Sequence, residues 1–160
     1  MQIIDGATSA RDLRVALVVS KYNDFVTDRL QAGALAGLAA LGVADNAITV
    51  IRVPGAYEVP IGARQAADSG RFDAVVGLGC LIRGATPHFD FIADAVAHGL
   101  MRASAETGVP MAFGVLTTNS AEEALERVPD NGPANKGWEA AAAAVEMATV
   151  GRQLSNGTRS

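Results

Sequence analysis

Cysteine is nearly absent from this chain: Cys80 is the only one among 160 residues. A single cysteine excludes an intrachain disulfide, and its place at the end of a predicted strand favours a buried, inert thiol over a nucleophile. Aromatic residues are also scarce at 5% of the chain. The net charge is −4, and the lysines and arginines form no cluster along the sequence. We therefore expect no nucleic acid partner, and we expect a reducing, cytoplasmic setting.

Long apolar runs are missing as well. Residues 1–6 contain no basic region that leads into an apolar one, and charged residues or glycines interrupt the alanine-rich stretches before they reach membrane-spanning length. We expect neither secretion nor a membrane partner. Small anionic ligands stay possible, because helix N-termini and single arginines can hold them in an acidic protein.

Three common catalytic signatures do not occur in the sequence. No pair of cysteines or histidines has the spacing of metal ligands, no Gly-x-x-x-x-Gly-Lys loop is present, and no Gly-x-Ser-x-Gly elbow is present. The sequence therefore disfavours a metalloenzyme, a nucleoside triphosphatase and a serine hydrolase.

What the sequence does contain is an alternation of strands and helices. The four strands are predicted at residues 14–20, 48–53, 74–80 and 111–117. The five helices, from apolar spacing and capping signals, are predicted at residues 23–41, 59–68, 87–106, 120–127 and 136–154. Strands that are apolar throughout lie in parallel sheets covered on both sides. The predicted fold is an α/β three-layer sandwich with a mainly parallel four-stranded sheet of flavodoxin-like order.

One domain is expected over residues 1–160. The chain is 49% hydrophobic, enough for one substantial core, and it contains no linker, internal repeat or low-complexity tract. Residues 1–12 are predicted to form an N-terminal arm, and residues 155–160 a disordered tail.

Polar residues gather where the predicted strands end, and ligands of parallel α/β sheets bind at that edge. Tyr22 follows the first strand and could stack on a flat heterocycle or cap the core. Glu58 follows the second strand and could accept hydrogen bonds from sugar-like hydroxyls or serve the helix dipole as a first-turn acid. Arg83 follows the third strand and could bind phosphate or clamp nearby carbonyls.

The most informative stretch is the turn after the third strand, at residues 80–90. Thr86 and Pro87 have the pattern of a helix N-cap and first helical position, which places His88 in the first turn. There the free backbone N–H groups of Gly84, Ala85 and Thr86 can bind a phosphate. The helix dipole attracts that phosphate and disfavours a protonated imidazole. The sequence therefore predicts a neutral, basic His88 beside an anion site.

Taken in order, these motifs resemble the lumazine synthase family, which catalyses the penultimate step of riboflavin biosynthesis. The resemblance runs nearly end to end. Its motifs are Ser20-Lys21-Tyr22-Asn23, Val53-Pro54-Gly55-Ala56-Tyr57-Glu58-Val59-Pro60, Leu81-Ile82-Arg83-Gly84-Ala85-Thr86-Pro87-His88-Phe89-Asp90, Phe113-Gly114-Val115-Leu116-Thr117-Thr118, residues 124–127 and Asn135-Lys136-Gly137.

The resemblance implies condensation of 5-amino-6-(D-ribitylamino)uracil with 3,4-dihydroxy-2-butanone 4-phosphate to 6,7-dimethyl-8-ribityllumazine, phosphate and water, without cofactor or metal. It implies that Tyr22, where the family often has Phe or Trp, stacks on the pyrimidine. Ala56 and Glu58 would hold the ribityl chain, and Leu81 and Ile82 the pyrimidine edge.

The same resemblance implies a phosphate site and a shared active site. Ala85, Thr86 and Arg127 would bind the phosphate, with Lys136 close by. Phe113 would come from a neighbouring subunit, so the substrate site would lie at a subunit interface. His88 would move protons in a reaction in which imine formation, phosphate elimination and ring closure each require proton transfer.

A homopentamer is the assembly that the resemblance implies, with residues 1–4 able to add an edge strand to a neighbour's sheet. Capsid-forming members build sixty-chain shells and carry a linker similar to Gly-Thr-x-Ala-Gly-Asn-Lys-Gly. Here residues 128–137 keep Asn-Lys-Gly but run one residue longer and contain Pro129 and Pro133. Because proline fixes φ, the final helix is expected to leave at another angle, and we favour the free pentamer.

Two other classes of function share the predicted architecture. A flavodoxin-like binding or signalling module would use the strand-end pocket only to bind flavin or phosphate. A structural, shell-forming protein would use it for neither. Turnover of the two substrates distinguishes an enzyme from both.

Overall fold

A computed structural model of the chain describes residues 1–7, 10–130 and 132–157. Its centre is one sheet of four parallel strands in the order β2-β1-β3-β4. The strands are β1 Val15–Ser20, β2 Ile48–Val53, β3 Ala74–Ile82 and β4 Met111–Thr118. The predicted fold class and the flavodoxin-like order are confirmed.

Within the described ranges, five α-helices surround the sheet. They are α1 Asp24–Ala40, α2 Val59–Asp68, α3 His88–Thr107, α4 Ala121–Glu126 and α5 Lys136–Asn156. Helices α1 and α5 cover one face, where Leu17 and Leu78 point, and α2 and α3 cover the other, where Val18 and Val75 point. Alternate strand residues thus enter two separate cores, which is why every position of β1 is buried.

Helix α4 begins as its capping signal predicts. The Ser120 hydroxyl accepts a hydrogen bond from the Glu123 amide at 3.1 Å, and the Glu123 carboxylate accepts one from the Asn119 amide at 3.0 Å. These bonds fix the loop that leaves β4 at the carboxyl edge of the sheet.

The two ends of the chain meet along α5. The Ala7 amide donates to the Thr149 hydroxyl at 2.8 Å, and the Gln153 amide nitrogen donates to the Asp5 carbonyl at 2.7 Å. Helix α5 continues through Ser155 and Asn156, two residues into the predicted tail, because the chain keeps its helical hydrogen bonds there. The last three tail residues, 158–160, lie outside the described residues.

None of the helices in the described part of the chain combines the length and apolar character that a membrane crossing requires.

Candidate active site

A cavity of about 690 Å³ opens at the carboxyl edge of the sheet, between the loops that follow β1 and β2 and the start of α3. Its volume lies within the range of small-molecule binding sites. The predicted site residues that line it are Tyr22, Ala56, Glu58, Leu81, Ile82, Thr86 and His88. The topology therefore brings together side chains from three separate strand ends.

The first wall of the cavity is the loop after β1. The Tyr22 amide donates to the Pro54 carbonyl at 3.1 Å, and the Ser20 hydroxyl donates to the Tyr22 carbonyl at 3.2 Å. With its backbone held this way, Tyr22 leaves 73% of its surface exposed. The ring therefore lines an open cavity and does not cap the core.

Asn23 secures the same loop to β3. It adopts a left-handed conformation with φ 62°, and its side-chain nitrogen donates to the Cys80 carbonyl at 2.9 Å. Asparagine is one of the few residues that tolerate positive φ. The sequence analysis has Asn23 only as part of the motif Ser20-Lys21-Tyr22-Asn23. Its bond to Cys80 joins positions that are distant in the chain, so sequence reasoning missed it.

The second wall is a short 3-10 helix, Ala56–Glu58, that leads into α2. Ala56 is 5% exposed. A side chain at Gly55 would come within 3.1 Å of Glu58 Oε2, so the glycine leaves room for that carboxylate beside the backbone. The Glu58 side chain makes no hydrogen bond within the described residues. Its oxygens are therefore able to accept bonds from ligand hydroxyls.

The third wall is the end of β3 and the turn after it. Leu81 and Ile82 extend the strand two residues beyond the prediction because they pair with Thr117 and Thr118 of β4. In the turn, the amides of residues 84–86 have no backbone acceptor among the described residues. These N–H groups are available to an anion, as the sequence predicts.

The start of α3 differs in one detail from the prediction. The N-cap is Pro87, with φ −71° and ψ 4°, and it carries no side-chain cap bond. The prediction that Thr86 caps the helix is therefore wrong, because the chain becomes helical one residue later, at His88. Thr86 and His88 both line the cavity, whereas Ala85 lies in the exposed turn outside its lining.

Cys80, the one cysteine of the chain, is 1% exposed in the core beneath the cavity. Burial raises the pKa of its thiol to about 11. A thiol with such a pKa stays protonated near neutral pH. The structure therefore agrees with the prediction of a buried, inert cysteine.

Three predicted residues lie away from this cavity. Phe113 lies in mid-β4 opposite Gly77, is 48% exposed, and lines a shallow groove between β4 and α3.

Arg127 ends α4, and its guanidinium donates to the Glu123 carbonyl at 2.8 Å. Lys136 begins α5 and pairs with Glu139 at 2.6 Å. The Lys136 amide donates to the Arg127 carbonyl at 2.9 Å, so these two basic residues are held next to each other.

Two apolar cavity residues escaped the sequence analysis. Phe91 and Ile92 line the cavity beside His88, and Phe91 also lines the groove that holds Phe113. The signal was present, because residues three and four positions after His88 share its helix face.

The sequence model of the 6,7-dimethyl-8-ribityllumazine synthase family matches residues 12–152. The chain belongs to this family. The match spans all four strands and the whole cavity, and it confirms the resemblance that the motifs indicate.

Curated relatives from three bacteria carry the same name, 6,7-dimethyl-8-ribityllumazine synthase. The protein of Chlorobium luteolum is 47% identical over 156 residues, which cover 96% of this chain and 100% of the relative. The protein of Chloroherpeton thalassium is 46% identical, and that of Chlorobium phaeovibrioides is 47% identical. Each of these two alignments covers 96% of this chain and 99% of the relative.

Proposed function

We propose that this chain is a 6,7-dimethyl-8-ribityllumazine synthase, which condenses 5-amino-6-(D-ribitylamino)uracil with 3,4-dihydroxy-2-butanone 4-phosphate in the penultimate step of riboflavin biosynthesis. The observation that carries the proposal is the cavity of about 690 Å³, which Tyr22, Glu58 and His88 line beside backbone amides that have no backbone acceptor among the described residues. A flat ring, a polyol and a phosphate each find a chemically suitable partner there.

The pyrimidine and its ribityl chain occupy the cavity proper in this proposal. The exposed ring of Tyr22 stacks on the heterocycle, and the backbone of Leu81 and Ile82 holds its polar edge. Ala56 permits close approach of the ribityl chain, whose hydroxyls donate to the Glu58 carboxylate. The absence of any other hydrogen bond to the Glu58 side chain among the described residues supports this assignment.

The phosphate of the second substrate binds at the start of α3. Ala85 and Thr86 supply amides, and the helix dipole adds a favourable field. Arg127 lies outside the cavity of its own chain, as Phe113 does, and in the assembly it adds a charge-assisted hydrogen bond to the phosphate in a neighbour's site. Lys136 contributes a second positive charge close by. The hydrogen bond between the Lys136 amide and the Arg127 carbonyl supports a joint role for these two residues.

The reaction proceeds through three changes of bonding. The 5-amino group attacks the ketone and water leaves, which forms an imine. Loss of a carbon-bound proton then expels phosphate, and the ribitylamino nitrogen closes the second ring as a second water leaves. His88, exposed at the cavity beside the phosphate, accepts and returns these protons, and general acid-base catalysis typically contributes about 10²–10⁴-fold. Holding the two substrates together supplies most of the remaining acceleration.

We further propose a cytoplasmic homopentamer in which Phe113 completes a neighbour's site. Its half-exposed ring on the edge strand β4 supports this role, because in one chain it lies outside the cavity. The longer linker with Pro129 and Pro133 favours the pentamer over a sixty-chain shell. Residues 1–4 are then available to a neighbour's sheet edge.

Mixing the protein with both substrates tests the proposal. We expect a fluorescent lumazine and free phosphate to form faster than in a protein-free mixture. Binding of flavin or phosphate without turnover would identify a binding module, and assembly without either would identify a structural shell protein.

A further inference from the structure

Arg83 is the first residue after β3, and its side chain joins three parts of the carboxyl edge. Its Nε donates to Asn119 Oδ1 at 3.1 Å, and its Nη1 lies 3.2 Å from Asp90 Oδ2 of α3. The guanidinium also lies over the Phe89 ring, 4.4 Å from its centroid. Arginine is suited to this arrangement because its planar fork can donate in two directions while it stacks on a ring.

These contacts surround the anion-binding turn. The turn, residues 84–87, begins directly after Arg83 and ends directly before α3, which carries Phe89 and Asp90. Arg83 thus ties the entrance of the turn to the helix at its exit. Since the amides of residues 84–86 have no backbone acceptor in the described part of the chain, the side chain of Arg83 supplies a cross-link that their own backbone does not.

The same side chain is hydrogen-bonded to the loop that leads into α4. Asn119 precedes Ser120, the N-cap of α4, and its amide donates to the Glu123 carboxylate at 3.0 Å. Glu123 in turn accepts the Arg127 guanidinium on its carbonyl at 2.8 Å. A short series of hydrogen bonds therefore runs from Arg83 to Arg127.

We propose that Arg83 is a positioning residue that holds the 84–87 turn in place for the phosphate. This inference rests on the proposed function. Arg83 does not line the cavity, and its guanidinium is already occupied by Asn119, Asp90 and Phe89. It acts through its neighbours and does not touch the substrate.

If Arg83 served only to stabilise the fold, loss of its side chain would lower the thermal stability of the protein. The Arg83 and Asp90 side chains are 46% and 58% exposed, and ion pairs this exposed contribute little to stability. Loss of the side chain is therefore expected to disturb the turn while the fold keeps its thermal stability. The backbone bond from the Arg83 amide to the Thr118 carbonyl, 2.8 Å, is unaffected by a side-chain change.

The test compares Arg83→Met, Arg83→Lys, Asn119→Ala and the Arg83→Met/Asn119→Ala double variant in steady-state kinetics with each substrate varied. The matched control is Arg71→Met, because Arg71 also stacks on a ring, Phe72 at 5.3 Å, but at the other end of β3. Hydrogen exchange of the Asp90 and Phe91 amides, which donate to the Pro87 carbonyl at the exit of the turn, is measured in parallel.

We expect Arg83→Met and Asn119→Ala each to lower kcat/KM for the phosphorylated ketone about tenfold, with the KM for the pyrimidine unchanged. The double variant should be no worse than the poorer single variant, because the two side chains act as one unit. Exchange of the Asp90 and Phe91 amides should accelerate, and Arg71→Met should resemble the wild type.

Rescue by Arg83→Lys would overturn the proposal, since it would show that only the positive charge matters. Wild-type kinetics in Asn119→Ala, or unchanged exchange in Arg83→Met, would overturn it as well. A wild-type protein without turnover would refute the proposed function instead, and the exchange measurement would still decide whether Arg83 orders the turn.

Discussion

At the scale of single residues, His88 and Cys80 show how local surroundings set chemistry. Both belong to the same strand-turn-helix unit, but His88 is exposed at the cavity and Cys80 is 1% exposed beneath it. Both placements could be predicted, because strand ends and helix starts are visible in sequence. The Asn23 bond to Cys80 could not, since it joins residues 57 positions apart.

We predict that His88→Ala slows turnover by at least about tenfold, because it removes the group that moves protons beside the phosphate. The fold should be unaffected, since the side chain is exposed. The matched control is His98→Ala, the other histidine of α3, whose side chain is 80% exposed. Equal turnover in the two variants would remove His88 from the mechanism.

Arg127→Ala should raise the KM of the phosphorylated ketone about tenfold or more, because a hydrogen bond to a charged group is typically worth about 1.5–3 kcal/mol. The pyrimidine carries no phosphate, so its KM should change little. Varying each substrate in turn separates the two effects. Equal losses for both substrates would contradict the assignment of Arg127 to the phosphate.

At the scale of elements, boundaries follow the sequence where local signals decide them. Strand β2 and helix α2 have the predicted limits, Ile48–Val53 and Val59–Asp68. Strand β3 is longer than predicted because its last two residues pair with β4, a tertiary contact without a local signal. The close packing of α1 on α5 could not be predicted from local signals either, although the glycines that allow it are visible in the sequence.

The contact between α1 and α5 depends on Gly137. A side chain there would collide with the Leu30 carbonyl, so Gly137→Ala is expected to destabilise the fold by about 1–3 kcal/mol through overpacking. Gly151 lies on the same helix with open space around it, and Gly151→Ala should stabilise by about 0.5–1 kcal/mol. Urea unfolding of both variants checks the opposite signs. Stabilisation by both would refute the close contact.

At the scale of the whole molecule, the single chain carries an incomplete site in this account. Seven of the predicted site residues line the cavity, whereas Phe113 lies on the edge strand β4. The fold class could be predicted from the alternation of strands and helices along the sequence, and so could the edge of the sheet at which the cavity lies. The proposed division of the site between subunits rests on the family resemblance, because no residue pattern within one chain predicts which neighbour would cover β4.

Native mass measurement tests the assembly. A pentamer of the 16.4 kDa chain has a mass of about 82 kDa, and we expect that species because the proline-containing linker redirects α5. A sixty-chain particle would refute the argument from the linker. A stable monomer would refute the shared active site as well.

The most direct test of the central claim is a time course that measures lumazine and inorganic phosphate together. The condensation releases one phosphate for each lumazine, so the two should rise in a one-to-one ratio, at a rate proportional to protein concentration and only when both substrates are present. Phosphate released without the pyrimidine, or lumazine formed no faster than in a protein-free mixture, would contradict the claim that this cavity joins the two substrates.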